Sequence, residues 1–512
     1  MISQSKLSIV ISILLFFIPV VTFLNEINLP QILNIDIFVI TFSQIFLLFF
    51  IFIVSFFTHR ILLKNFISLR SFFLINSIFI YLLFFFKKLK SSFYILHNQH
   101  YLIDDILVIL LYIFFYYLSL KFRKIFLNFL LKFLSIYIIL QFMLFSYNLY
   151  NLKIVTNFNE YSKKGSNNLT SLDTNLIKRN LNDATIFLII LDGMVNLEIA
   201  EKLEIIHSKE KIRRNLKKNG LIYKNNFFTN YNVTYLSVAA LLQGSYPVIE
   251  TSKKYYNRDK FFPAFILNQR EDNNFFKILR KINKKFYWLG SQWAFCQNNF
   301  YIKCMNSKKS HKLISKVKLF YYDSIFVYLF NLYPSNDGSK DSINFLTNFE
   351  KNFSNNEIYL AHVLSPHPPY FFDKKCNIKD NLLTDNASEN DNKTHYSNAY
   401  NCLLDTITKL TGKIDSLNQN NMIFILGDHG WSFDDKTMKK YNLDGEKSRF
   451  SPFFSYKVPS RCEQIKAPES IVNIMRFALI CAGNKDVRYL EDIKFKTFYE
   501  NEKNFGKVFR KK

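Results

Sequence analysis

The sequence predicts an N-terminal all-α transmembrane bundle of five helices followed by an α/β domain, whose mostly parallel central sheet carries helices on both faces. Three observations predict it. Five apolar stretches fall within residues 1–150, each near the roughly 20 residues a spanning helix needs. The run "TIFLIILDG" then shows no polar alternation, the mark of a strand buried on both faces. Beyond it, strand-like and helix-like segments alternate, the pattern of a layered α/β sheet. The boundaries that follow are a transmembrane domain over 1–150, a polar linker over 151–180, a catalytic α/β domain over 181–490 and a basic tail over 491–512.

The five stretches begin at Leu7, Ile37, Phe66, Tyr101 and Ile125. The first is long, and "NEINLPQ" after it offers no small-residue cleavage site, so it reads as an uncleaved anchor. Basic residues set the orientation. Lys6, then Arg60, Lys64 and Arg70, then Lys121, Arg123 and Lys124 fall on one side, against Lys87, Lys88 and Lys90 on the other. That bias places the N-terminus in the cytoplasm. An odd number of spans then puts everything after residue 150 outside, so the reading is a multi-pass protein of the cytoplasmic membrane with a periplasmic or extracellular α/β domain.

Composition agrees. Hydrophobic residues make up 49% of the 512, with 57 Phe, and the net charge is +26. A basic surface suits anionic lipid headgroups. It also suits nucleic acid, but no nucleic-acid module is recognisable, so that partner is not expected. All six cysteines lie between 296 and 481, where an exported domain can oxidise them. Cys296 and Cys304 can close a small loop, and Cys376 with Cys402 and Cys462 with Cys481 are further possible pairs. A zinc cluster lacks the usual CxxC pair.

In the α/β domain, "KKFYWLGS", "EIYLAHVL" and "NMIFILGDHG" are further strand candidates, and "HYSNAYNCLLDTITKLTGKIDSL" reads as a helix behind a polar excursion, "LLTDNASENDNKT". Chemistry in such sheets gathers at the carboxyl ends of the strands. Asp192 ends the first strand, Asp428 and His429 end a late one, and His362 and His367 flank the end of "YLAHVLSPHPPY". Two carboxylates and histidines there fit one divalent metal ion, Mn2+ or Zn2+ rather than Mg2+ or Ca2+, because nitrogen ligands suit the former pair. Thr234 opens a small-residue helix closed by Gly244. Its hydroxyl either caps that helix or, with a metal to lower its pKa, serves as a nucleophile.

"ILDG", "TYLSVAALLQGSYP", "HVLSPHPPY" and "GDHG" stand in the order seen in the alkaline phosphatase superfamily, and the chain resembles its sulfatase-like branch. In the sulfatase nucleophile segment the modified Cys falls on Thr234, Ser on Ser237, Ala-Ala-Leu-Leu on Ala239 to Leu242, and Gly on Gly244. Formylglycine cannot form from Thr, and the acid that usually follows the first-strand Asp is replaced by Gly193, which implies one metal. A Thr nucleophile after five spans is similar to the membrane-bound lipoteichoic acid synthases and phosphoethanolamine transferases. The second His such transferases carry after Asp-His-Gly is missing between 431 and 461.

The resemblance implies that Asp192, Thr234, Asp428 and His429 hold the metal, with Thr234 as nucleophile. It implies substrate-binding roles for His367, His362, Asn230 and Arg449. The activity implied is transfer of a phosphoglycerol- or phosphoethanolamine-type group from a membrane phospholipid to an envelope glycan or lipid, through a phospho-Thr intermediate. Two alternatives remain open on the sequence. One is a hydrolase of phosphodiesters or sulfuric esters on the same fold; the other is an inactive envelope protein that binds or assembles.

Overall fold

A computed structural model describes residues 9–15, 17–18, 20–21, 34–63, 72–78, 117, 123–155, 184–247, 278–280, 282–289, 301–304, 356–368, 370–378, 388–415, 420–484, 486–497 and 508–510. The chain divides into two compact units, one holding residues 1–157 and the other holding every described residue from 184 onward.

In the first unit, α1 (Asn34–Thr58) and α2 (Arg123–Val155) are the long helices. Thr41–Ile61 spans 21 residues at a mean hydropathy of 2.1 and is the one helix among the described residues long and apolar enough to cross a membrane. The apolar part of α2 is shorter, Leu131–Tyr147. Ile11, Leu15 and Ile18 pack with Leu74, Ile78, Leu131, Leu134 and Ile138, so parts of the first, third and fifth apolar stretches share one core. The second joins through Phe52 against Phe73 and a hydrogen bond from Asn76 to Ser55. Phe42, Phe46, Phe49 and Phe50 of α1 stay exposed. Of the fourth stretch, only residue 117 is described.

The second unit is built on β1 (Ile186–Leu191), and every residue of that strand is buried. Its parity explains the unbroken apolar run. Ile186, Leu188 and Ile190 enter one core, and Phe187, Ile189 and Leu191 enter the other. After it come α3 (Leu197–Lys202), α4 (Lys209–Lys218), β2 (Ile222–Tyr223) and α5 (Thr234–Gln243). Next are β3 (Phe286–Leu289), β4 (Ile302–Cys304), β5 (Ile358–Val363), α6 (Glu389–Asp415) and β6 (Met422–Leu426). Then follow α7 (Asp435–Lys440), α8 (Gly445–Arg449), β7 (Phe454–Lys457) and α9 (Ile474–Cys481). The sheet order is β2-β7-β6-β1-β5-β3-β4. β7 pairs antiparallel with both β6 and β2, and the other pairings are parallel, so the sheet is mixed but mostly parallel. Helix α5 packs into the core on one face, and α6 into the core on the other.

Two details depart from the sequence reading. Helix α6 begins at Glu389, inside the expected polar excursion, because Ser388 and Asp391 form a reciprocal capping pair that starts the helix six residues early. In the stretch 491–512, β8 (Phe495–Thr497) pairs with β9 (Val508–Arg510), and Phe495 is fully buried against Tyr231. Disulfides join Cys376 to Cys402 and Cys462 to Cys481, with Cα atoms 5.4 and 5.1 Å apart. Cys304 ends β4, and Cys296 lies outside the described residues.

The loop after β6 is wedged tightly. Gly427 and Gly430 donate to the Phe453 and Arg449 carbonyls, and a Cβ at 430 would stand 1.9 Å from the Ser448 carbonyl oxygen. Only hydrogen fits there, and backbone cannot yield as a flexible side chain would. Gly430→Ala should therefore destabilise the second unit by on the order of 3 kcal/mol or more, read as a fall in its thermal midpoint. An alanine variant that melts with the parent would contradict this packing.

Candidate metal centre

Parallel pairing brings the site together. Leu191 of β1 is in register with Val363 of β5, and Ile190 with Leu426 of β6, so all three strands discharge their next residues at one edge. Asp192, Asp428 and His429 meet there, each offering a ligand atom, and these atoms all lie within 4.8 Å of one another. All three residues are buried. Thr234 is the first residue of α5 and joins them, with Oγ1 3.3 Å from His429 Nε2. Val233 is the N-cap and makes no side-chain cap bond, so Thr234 is not the cap of its own helix.

The chemistry of these atoms favours a cation. His429 Nδ1 lies 2.7 Å from the Gly430 carbonyl, which can only accept, so Nδ1 carries the hydrogen and Nε2 presents its lone pair. That lone pair faces Asp192 Oδ1 at 3.8 Å and Asp428 Oδ2 at 3.6 Å. Neither carboxylate oxygen has a hydrogen-bond donor among the described residues. Three buried acceptors aimed at one another are unstable unless a positive charge sits among them, and the mix of oxygen and nitrogen is a set for Mn2+ or Zn2+.

The surroundings fix these groups. Asp428 Oδ1 accepts from Gly193 N at 3.0 Å. The Tyr396 hydroxyl donates to the Gly193 carbonyl and accepts from Val195 N, and Tyr400 donates to the Val195 carbonyl, so two residues one helical turn apart on α6 clamp the loop after Asp192. Burial would raise the Asp192 pKa, but the charge of His367 and the hydrogen bond and charge of His362 outweigh it and hold the carboxyl well below the usual range. For His429, burial dominates and lowers the pKa, with the Arg449 charge adding to it, so the ring stays neutral and ready to bind metal.

The other expected residues divide. His362 lies on β5 with Nε2 3.3 Å from Asp192 Oδ2; burial alone would lower its pKa, and the carboxylate raises it above the ordinary value. It stands beside a ligand rather than at a substrate surface. His367 is half-exposed, and its backbone N–H donates to the Asp192 carbonyl. Arg449 is half-buried at the end of α8. Asn230 does not join the site: it is fully buried, Oδ1 accepts from Val472 N, and Nδ2 donates to Tyr246 and the Ile493 carbonyl, which leaves nothing for a phosphate. Sequence reading missed Trp431 and Tyr396. The signals were available, an aromatic residue directly after "GDHG" and a Tyr pair at helical spacing.

Mn2+ or Zn2+ added to metal-free protein should raise its stability by about 2.7 kcal/mol at a hundredfold excess over Kd. Asp428→Asn should abolish that gain yet stabilise the metal-free form by roughly 1 kcal/mol, because one of two facing carboxylates is gone. Thermal melts of both proteins, with and without metal, give both numbers; a variant that is both weaker without metal and still responsive contradicts the assignment.

A family model for sulfatases matches residues 184–483. No curated relative matches the chain. Among solved structures, the chain is similar to the C-terminal periplasmic domain of EcEptC from Escherichia coli, at 13% identity and a TM-score of 0.37 over 64% of this chain and 92% of that one. It is also similar to the integral membrane lipooligosaccharide phosphoethanolamine transferase A (EptA) from Neisseria meningitidis, at 11% identity and a TM-score of 0.38 over 95% and 96%. A third is the periplasmic domain of phosphoethanolamine transferase EptC from Campylobacter jejuni, at 14% identity and a TM-score of 0.36 over 60% and 92%. Sulfatase-family enzymes bind a metal, and Asp192, Asp428 and His429 are arranged to do so. The family match covers more than half of the chain and contains the whole cluster, and the protein belongs to the sulfatase family of alkaline-phosphatase-like enzymes.

Proposed function

We propose that the protein is a membrane-anchored, metal-dependent phosphotransferase that moves a phosphoglycerol- or phosphoethanolamine-type group from a membrane phospholipid to an envelope glycan or lipid. The observation that carries this reading is the Thr234 hydroxyl, which does not cap its helix and lies 3.3 Å from His429 Nε2 beside two carboxylates. A Thr here cannot become formylglycine, which turns the reading from sulfate esters toward phosphoryl groups.

Asp192, Asp428, His429 and Thr234 would hold one Mn2+ or Zn2+ ion, which supplies Lewis acidity and lowers the pKa of the Thr hydroxyl. Thr234 Oγ1 then forms a bond to the donor phosphorus. The bond from phosphorus to the diacylglycerol oxygen breaks, and that oxygen takes up a proton as Thr234 gives one up. The acceptor hydroxyl attacks the same phosphorus in a second displacement, and Thr234 regains its proton. The N-terminal end of α5 begins at Thr234, where the helix dipole would favour a bound phosphate. His367 and Arg449 border the site and would meet the remaining phosphate oxygens. In this reading the five-span domain faces its N-terminus to the cytoplasm and places the α/β domain outside, within reach of the donor's headgroup.

The test uses the full chain in vesicles with headgroup-labelled phosphatidylglycerol and phosphatidylethanolamine plus Mn2+. Expected are diacylglycerol release and a headgroup-phosphate mass adduct on the peptide containing Thr234. Thr234→Ala should lower release about a thousandfold or more and abolish the adduct. Label appearing only as free headgroup phosphate would make the enzyme a hydrolase. No metal binding together with an unchanged cell surface in Thr234→Ala cells would make it a binding or assembly protein.

A further inference from the structure

Beside the metal cluster stands a half-buried indole in contact with Tyr396, His367 and Arg449. Trp431 follows the Asp428-His429-Gly430 turn, and its backbone is held against α8 by Ser448 Oγ donating to its carbonyl. Its ring stacks on Tyr396 at 6.0 Å, receives His367 edge to face at 4.9 Å, and carries the Arg449 guanidinium 5.6 Å from its centroid. Arg449 makes no ion pair or hydrogen bond through its guanidinium among the described residues. A half-exposed Arg with no carboxylate partner among the described residues, next to the cluster of Asp192, Asp428 and His429, keeps its charge for something that arrives.

We propose that Trp431 is a positioning residue, holding Arg449 and His367 on its ring as an oxyanion subsite that grips the tetrahedral phosphoryl group of the substrate. The inference rests on the phosphotransferase reading and names the groups that meet the phosphate. Geometry ties both residues to the cluster. Gly430 N, next to His429, donates to the Arg449 carbonyl at 2.8 Å, and His367 donates its backbone N–H to the Asp192 carbonyl at 3.1 Å. A Cβ placed on Gly193 would come within 3.2 Å of Trp431 and 3.7 Å of both His367 and His429, so the indole abuts the first ligand's own loop. His367 commits Nδ1 to the Pro368 carbonyl, and an incoming oxyanion would meet Nε2.

The part of Trp431 that matters is its face. Nε1–H is sealed from solvent without a partner among the described residues, so its polar atom has nothing to offer a ligand. A tryptophan face is the strongest aromatic platform for a guanidinium, and fixing one long side chain in advance removes ordering entropy from binding.

The test is calorimetric binding of inorganic phosphate to the full chain in detergent, saturated with Mn2+, for Trp431→Phe, Trp431→Leu and Arg449→Ala. Both Trp variants keep an apolar filling, and melts with and without Mn2+ check their folding. Expected is a phosphate Kd raised about tenfold in Trp431→Leu and threefold or less in Trp431→Phe, with Mn2+ affinity unchanged within about twofold in both. In the Trp431→Leu, Arg449→Ala double variant the loss should fall well short of the sum of the two single losses, because the ring acts largely through the guanidinium. Losses that add, a Trp431→Leu protein that binds phosphate like the parent, or one that loses Mn2+ in step with phosphate would overturn the proposal. Phosphate binding needs no turnover, so the subsite stands or falls separately from the phospholipid assay.

Discussion

Two buried carboxylates and an imidazole lone pair pointing at one another is a costly arrangement, and most of the second unit is organised around sustaining it. Unit negative charges within 4.8 Å repel by about 3 kcal/mol even at an effective dielectric near 20. A chain left to relax would rotate the side chains apart. It does not, because Asp428 is tied to Gly193 N, His429 to the Gly430 carbonyl, and Asp192 lies beside His362. The repulsion is held in place by the fold and relieved by a cation.

That organisation begins with the sheet. β1 lies between two parallel neighbours, and six apolar residues divided between two cores leave it no freedom to slip. A slip of one residue would send Asp192 to the opposite face. The loops that follow are then fixed from both sides, by the α6 tyrosines against residues 193–195 and by the α8 backbone against Gly430. The placement of Thr234 obeys the same logic. Helix α5 is buried on every side, its Gly244 turns into the left-handed region to end it, and Arg476 donates to the Gly244 carbonyl, leaving the N-terminal end toward the metal ligands.

What the residues disclosed and what they concealed separate along physical lines. The strands carrying Asp192 and Asp428 were legible because burial on both faces leaves a compositional trace, and the site followed because parallel strands end together. Asn230 was misread because a polar residue beside a nucleophile looks the same in sequence whether it faces substrate or stitches loops; only its three partners decide. The start of α6 was legible in principle through Ser388 and Asp391, but a thirteen-residue, mostly polar stretch obscured a two-residue cap. Trp431 was marked in sequence only as an aromatic residue after "GDHG"; its neighbours Arg449 and His367 come from separate elements, so their meeting on its ring was not legible. In the membrane unit, apolar runs marked where helices lie, while lateral packing such as Phe52 on Phe73 has no periodic signature.

Charge counting links the metal centre to its rim. In the proposed reading Asp192 and Asp428 would together neutralise one divalent ion, and His429 and Thr234 would add no charge, so a loaded centre would be close to neutral. An incoming phosphodiester brings a negative charge that such a centre does not balance. A second ion would serve, but Gly193 has φ +71°, a conformation that disfavours an acid there, and Trp431 fills the space such a side chain would take. The space beside Gly193 is thus occupied by an aromatic ring that carries the Arg449 guanidinium. In the proposed subsite a fixed organic cation would take the part of a mobile inorganic one, without adding another buried carboxylate to a cluster that already strains against its own charge.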